Sequence, residues 1–148
     1  MRLLILFLAF CPVLLSAQQP AADPAPLPRH CEVQFDNGRQ LAAVPLADSE
    51  ALRMHGLSKR HDVSSGMWFA FEQPQLLRFW MRDTWQPLSI GFIDEQGEVF
   101  QIVDMTPMSL DVHQSSRPGV AALELPQGGF ATLGVTPGMR VALTHCSP

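Results

Sequence analysis

A polar triplet, Arg82-Asp83-Thr84, directly follows the apolar run Phe79-Trp80-Met81. An arginine fork suits a carboxylate or phosphate group of a ligand. Short Asp and Thr side chains either contact a ligand as well or hydrogen bond to the backbone of a turn. Both interpretations are open from the sequence. If the triplet forms a site, we expect further charged side chains to share one polar depression with it. The predicted ligand-binding residues are Arg53, Arg60, Arg82, Asp83, Thr84 and Glu124.

The sequence favours a binding module over an enzyme. Nucleophilic catalysis needs a nucleophile with an orienting base, and no Gly-x-Ser-x-Gly or paired-carboxylate motif is present. The expected partner is a small anionic ligand or an envelope protein, without a cofactor. The alternative is a hydrolase-like or transferase-like enzyme that uses Asp83 and Glu124.

A copper-handling periplasmic protein is a further alternative. Met105 and Met108 lie close together in the sequence, with His113 a little further on. Thioether and imidazole groups are suitable ligands for reduced copper. The signal is weak, because methionine also fills gaps in apolar cores. We therefore predict no metal site.

The amino-terminal segment has the pattern of a secretory signal peptide. Arg2 precedes an apolar run from Leu3 to Leu15, and the small residues Ser16-Ala17 follow it. The run is shorter than the roughly 20 residues that span a bilayer. Cleavage after Ala17 is expected, which predicts a periplasmic or extracellular protein. A lipoprotein with Cys11 as the lipidated residue and an uncleaved anchor are the alternatives.

Composition divides the rest of the chain into a linker and a domain. Residues 18–29 are rich in proline and alanine and predict an extended tether. Residues 30–148 have the length of a single β domain. The chain has 10 basic and 14 acidic residues, a net charge of −4. This charge disfavours nucleic acid and anionic membrane surfaces as partners. We expect a monomer with no membrane contact beyond the signal peptide.

Two cysteines, Cys31 and Cys146, remain outside the leader. In an exported domain such a pair favours a disulfide. Each follows a histidine, in the pairs His30-Cys31 and His145-Cys146, so a metal site of two His and two Cys is conceivable. Neighbouring residues on a strand point to opposite faces, which opposes that arrangement. Two free thiols are the third possibility.

Turn residues at short intervals predict a mainly β fold. Asp36-Asn37-Gly38 is typical of a hairpin turn, and Asp48 is a candidate cap for one short helix, Ser49 to His55, that ends at Gly56. About eight short strands predict a jelly-roll-like sandwich or a partly open barrel. Phe79 and Trp80 should alternate faces of a strand, with at least one of them in the core, and Trp80→Ala is expected to melt at a far lower temperature.

Several ordered motifs resemble the family catalogued as domain of unknown function 192, from about Leu41 to Leu143. The motifs are Arg53 to Arg60, Gly66-Met67-Trp68-Phe69, Phe79 to Thr84 and Leu123-Glu124-Leu125, followed by Gly128, Gly134 and Gly138. The resemblance implies a predominantly β, jelly-roll-like fold, and it implies no activity because the family's biochemical role is unassigned. This sequence departs from the family pattern at Ser58, Lys59, Trp68 and Asp83, where Asp83 replaces an amide.

Overall fold

The computed structural model describes residues 27–147, and the expected signal peptide and most of the linker lie outside them. The described chain is mainly β, as predicted. Its strands are β1 (Arg29–Phe35), β2 (Gln40–Ala47), β3 (Met67–Gln75), β4 (Arg78–Phe79), β5 (Leu88–Ile93), β6 (Val99–Met105), β7 (His113–Gln114), β8 (Gly119–Pro126) and β9 (Val141–Ser147). Its helices are α1 (Glu50–His55) and α2 (Gly129–Thr132).

Seven strands form one sheet in the order β6-β5-β8-β3-β2-β1-β9. The predicted hairpin joins β1 to β2, and Gly38 takes the left-handed φ of 81° that its turn requires. β2 and β3 run parallel, so the chain must cross over between them, and α1 lies in this connection. A cleft lies beside that crossover and is lined in part by α1.

The sheet curls until its two edge strands meet at one end. Glu98, before β6, forms an isolated antiparallel bridge with Arg140, before β9. Around it, the Val99 amide donates to the Met139 carbonyl, and the Val141 amide donates to the Gly97 carbonyl, each at 2.8 Å. The architecture is therefore a curled half-barrel, which confirms the prediction of a partly open barrel.

Each face of the sheet carries an apolar core because residues alternate along the strands. On β8, Leu123 and Leu125 pack in a first core with Trp68. Ala122 points to the opposite face and joins a second core with Met67 and Phe69. Glu124 is two residues further along β8, so its alternation places a carboxyl on the face of the second core.

Local details differ from the sequence predictions. Ser49 caps α1 by accepting a hydrogen bond from the Leu52 amide, whereas the predicted cap, Asp48, pairs with Arg29 at 2.6 Å. Gly56 ends the helix as expected. The short helix α2 was not predicted, and Pro74 lies within β3.

Cys31 and Cys146 form the predicted disulfide, with a sequence separation of 115 residues. The bond links the neighbouring strands β1 and β9. Because both sulfur atoms are used, the alternatives of two free thiols and of a metal site at the termini are wrong. None of the described helices is long and apolar enough to cross a membrane.

Candidate functional site

A cleft of about 710 Å³ opens beside α1. One wall is α1 with the loop after it, and the other is the segment from Arg78 to Thr84, while β3 and β8 contribute side chains between them. The buried lining residues are Gly56, Leu57, Phe69, Thr84 and Glu124, and we call these five the floor. We call the exposed lining residues the rim: Glu50, Met54, His55, Lys59, Arg78, Trp80, Arg82 and Val112.

The α1 wall positions Arg53. Its guanidinium group donates a hydrogen bond from Nη1 to the Ala70 carbonyl at 2.8 Å and lies 5.0 Å from the centre of the Phe71 ring. These contacts hold the charge beside β3 and leave other N–H groups of the fork for a ligand. Gly56 turns the chain after the helix with φ 52° and ψ −134°. This conformation is accessible to glycine and strained for other residues.

The second wall brings Arg82 and Asp83 to the same cleft. Adjacent strand residues would point to opposite faces, but Asp83 adopts a left-handed φ of 56° that reorients the chain. Arg82 lies 5.3 Å from the Trp80 ring centre, and its Nε is 3.9 Å from Oδ2 of Asp83. Both side chains of this pair are largely exposed, so the ion pair adds little stability.

Glu124 is the acidic residue of the floor. Its strand neighbours across β8 are Met67 on β3 and Ile90 on β5, both fully buried. Glu124 is 4% exposed, and within residues 27–147 its carboxyl makes no side-chain hydrogen bond or ion pair. Desolvation raises the pKa of Glu124 to about 8, so the carboxyl is mainly neutral at pH 7.

Five of the six predicted site residues line this cleft: Arg53, Arg82, Asp83, Thr84 and Glu124. Arg60, the sixth, does not line it, and Lys59 occupies the wall instead. The carbonyl of Asp83 accepts a hydrogen bond from the Lys59 amide, which explains why Lys59 is the residue at the wall. Sequence reasoning also missed Arg78, although it directly precedes the aromatic run.

The cleft has an excess of positive charge in an acidic protein. Four basic side chains line it, from Arg53, Lys59, Arg78 and Arg82. The carboxylates of Glu50 and Asp83 oppose them, and the third acid of the cleft is the mainly neutral Glu124. The excess is therefore two positive charges at pH 7, whereas the whole chain carries −4.

Aromatic side chains supply the apolar surface of the cleft. Phe79 contacts Phe69 edge to face at a centroid distance of 4.9 Å and Phe71 at 6.4 Å. Trp80 is 46% exposed at the rim. Of this pair, in which at least one ring was expected in the core, Phe79 packs on the core, because β4 is two residues long and ends there. The large loss of stability expected for Trp80→Ala does not agree with the exposure of Trp80.

The described residues offer no preformed metal centre. Between residues 27 and 147 no three His, Cys, Asp or Glu side chains come together as potential ligands. Met105 is buried in the β6 end of the core, whereas Met108 is 52% exposed. The copper hypothesis relied on the closeness of the two methionines in the sequence, and the structure puts them in different environments.

Comparison with known proteins identifies relatives without an assigned activity. The family model of domain of unknown function 192 (DUF192), described as an uncharacterized ACR, matches residues 32–143. No curated protein matches the chain.

Two solved structures are similar in fold and sequence. One, from Sinorhizobium meliloti 1021, is described as a "putative transcription regulator"; it is 30% identical, with a TM-score of 0.74, and the match covers 81% of this chain and 98% of that chain. The other is a protein of unknown function from Novosphingobium aromaticivorans DSM 12444. It is 28% identical, with a TM-score of 0.70, and the match covers 90% of this chain and 99% of that chain. Because the family model matches most of this chain, the chain belongs to the DUF192 family.

Proposed function

We propose that this protein is an exported binding module for a small organic anion with an apolar body. The observation that supports it is the combination, in one cleft, of a positive rim and an aromatic interior. Arginine forks recognise carboxylate, sulfonate or phosphate groups, and the aromatic rings pack against the remainder of the ligand. A volume of about 710 Å³ lies within the range of small-molecule sites.

The net charge and the disulfide support this proposal. Nucleic acid is not the proposed ligand, because the overall charge of −4 would repel a polyanion. The Cys31–Cys146 disulfide is compatible with an oxidising compartment, where such bonds persist. The enzyme hypothesis, with Asp83 and Glu124 as acid and base, stays a prediction.

Fluorescence titration with 8-anilinonaphthalene-1-sulfonate, an aromatic sulfonate, tests the binding function. We expect saturable binding whose Kd rises about tenfold in an Arg53→Gln/Arg82→Gln variant and rises with salt. Arg39→Gln is the matched control, because Arg39 is exposed in the β1–β2 turn and does not line the cleft. A Kd that is the same in the double variant and in the control would refute the proposal.

An envelope protein as partner is a second candidate, favoured by exposed apolar side chains. Met54, Trp80 and Val112 line the cleft and are 46–72% exposed, and Leu110 is 68% exposed on the same loop as Val112. Exposed apolar patches of this kind often mark interaction surfaces. A Met54→Ser/Leu110→Ser variant should then lose a specific cross-link to an envelope protein that the wild type forms in cells.

A further inference from the structure

Glu124 is a polar group without a partner at the floor of an otherwise apolar and aromatic region. Its neighbours across the strands, Met67 and Ile90, are fully buried and offer its carboxyl no hydrogen bond. The Glu124 side chain lines the cleft, so a partner for its carboxyl can approach from there. A carboxyl that lies among apolar side chains and has no hydrogen-bonding side-chain partner is stabilised by a group that supplies one. The carboxyl is thus placed to be satisfied by something that enters the cleft.

The chemistry of the floor residues restricts which ligand group can bind Glu124. A neutral carboxyl donates its O–H and also accepts from N–H groups, whereas an ionised carboxyl only accepts and attracts a cation. The rings of Phe69 and Phe79, in edge-to-face contact, line the same cleft and present surfaces to which cations are attracted. The basic side chains are placed differently: Lys59, Arg78 and Arg82 are exposed at the rim.

We infer that the ligand is a zwitterion, a short apolar peptide or amino acid whose ammonium group binds Glu124 at the floor and whose carboxylate binds Arg53 and Arg82 nearer the rim. This inference rests on the proposed function and specifies the ligand class. The apolar side chains of the ligand pack between Phe71, Phe79 and Trp80. Without a ligand the Glu124 carboxyl is mainly neutral at pH 7, and an incoming ammonium group ionises it with release of one proton.

Three forms of one dipeptide separate the two ends of the ligand. The unmodified form of Phe-Phe is a zwitterion, N-acetyl-Phe-Phe keeps the carboxylate alone, and Phe-Phe amide keeps the ammonium alone. Isothermal titration calorimetry of the full exported protein measures the three Kd values. We expect the unmodified dipeptide to bind at least tenfold more tightly than either blocked form.

Substitution of Glu124 assigns the ammonium contact. Glu124→Gln should remove the difference between the unmodified and acetylated dipeptides and leave the Kd of the acetylated form unchanged. Glu72→Gln, the same substitution at an exposed residue of β3 outside the cleft, should behave as the wild type. Circular dichroism and the melting temperature establish that each variant is folded.

Other outcomes would overturn the inference without touching the proposed function. If N-acetyl-Phe-Phe binds as tightly as the unmodified dipeptide, Glu124 does not hold an ammonium group. If no dipeptide binds or displaces anilinonaphthalene sulfonate while that anion still binds in an arginine-dependent manner, the ligand is an anion and not a zwitterion. If binding of the sulfonate does not depend on Arg53 and Arg82, the proposed function itself is refuted.

Discussion

The amide of Lys59 donates a hydrogen bond to the carbonyl of Asp83 at 2.7 Å and so joins the two walls of the cleft. Both residues have left-handed backbones, with φ of 58° and 56°. This conformation costs about 1 kcal/mol or more in a residue with a Cβ. Two strained residues held together by one bond indicate that tertiary contacts impose the shape of the cleft.

Asp83 should therefore be sensitive to the backbone preference of its replacement more than to the loss of its carboxylate. Asp83→Val should lower the free energy of unfolding by about 1–3 kcal/mol, because a β-branched residue strongly disfavours a left-handed φ. Asp83→Gly, which removes the same carboxylate without the strain, is the matched variant and should be neutral or slightly stabilising. Urea denaturation measures both. Equal destabilisation by the two would contradict this interpretation.

Glu124 should make stability depend on pH. Its pKa is raised in the folded state from about 4.5 to about 8, so the folded chain holds a proton that the unfolded chain releases in this range. The stability associated with the protonated carboxyl is fully present below pH 4.5 and declines as the pH rises towards 8. The slope from this residue is at most about 1.4 kcal/mol per pH unit.

Glu124→Gln tests that pH dependence. Glutamine stays neutral, so the decline between pH 5 and 8 should become shallower, and at pH 8 the variant should be more stable than the wild type. Chemical denaturation at several pH values gives the two curves, with Glu72→Gln as the control for the loss of an exposed carboxylate. Parallel curves for wild type and Glu124→Gln would show that Glu124 is solvated.

Gly56→Ala should damage both stability and binding. With φ 52° and ψ −134°, Gly56 has a backbone that alanine adopts at a cost of roughly 1–3 kcal/mol. An added Cβ would also lie 3.5 Å from the Phe69 ring, so relief of the strain would move the wall of the cleft. Gly38→Ala is the control, since it carries strain at φ 81° with open space around it. Thermal melting should report both variants, whereas sulfonate binding should fall in Gly56→Ala alone.

Substitutions of Trp80 and Phe79 should have different effects, with Trp80→Ala mainly weakening binding and Phe79→Ala mainly lowering stability. Trp80→Ala should lower the free energy of unfolding by no more than about 1 kcal/mol, because the side chain is 46% exposed and its cation–π contact with Arg82 lies at the surface. The same variant should weaken sulfonate binding. Phe79→Ala should cost about 3 kcal/mol, because Phe79 contacts Phe69, Phe71 and Phe92. A melting temperature that falls equally in both variants would contradict this division.

Reduction of the disulfide should destabilise the domain strongly. A bond between Cys31 and Cys146 closes a loop of more than a hundred residues, worth about 4–5 kcal/mol in the chain-entropy model. Protein purified without reductant should show no labelling of Cys31 and Cys146 before reduction and labelling of both after it. The Cys31→Ala/Cys146→Ala variant should melt at the temperature of the reduced wild type. A reduced protein as stable as the oxidised one would show that the pairing of β1 with β9 needs no cross-link.

Local chemistry in the sequence predicted the features that depend on near neighbours. Asp36-Asn37-Gly38 indicated its hairpin because the turn needs a residue that tolerates positive φ, which Gly38 supplies. Gly56 indicated the end of α1 for the same reason. Cys31 and Cys146, as the two cysteines outside the apolar amino-terminal run, indicated the disulfide. The sequence motifs alone identified five residues that line the cleft: Arg53, Arg82, Asp83, Thr84 and Glu124.

Tertiary packing decided what those residues face. Whether Arg60 or Lys59 reaches the cleft depends on the contact with the Asp83 carbonyl, which is 24 positions away in the chain and has no signal in local spacing. Trp80 is exposed because β4 ends one residue earlier, and Glu124 lacks a partner because β3 and β5 flank it with apolar residues. Periodicity assigns a residue to a face of a strand, but burial and charge at that face depend on which distant segments pack over it, and that is determined by the whole fold.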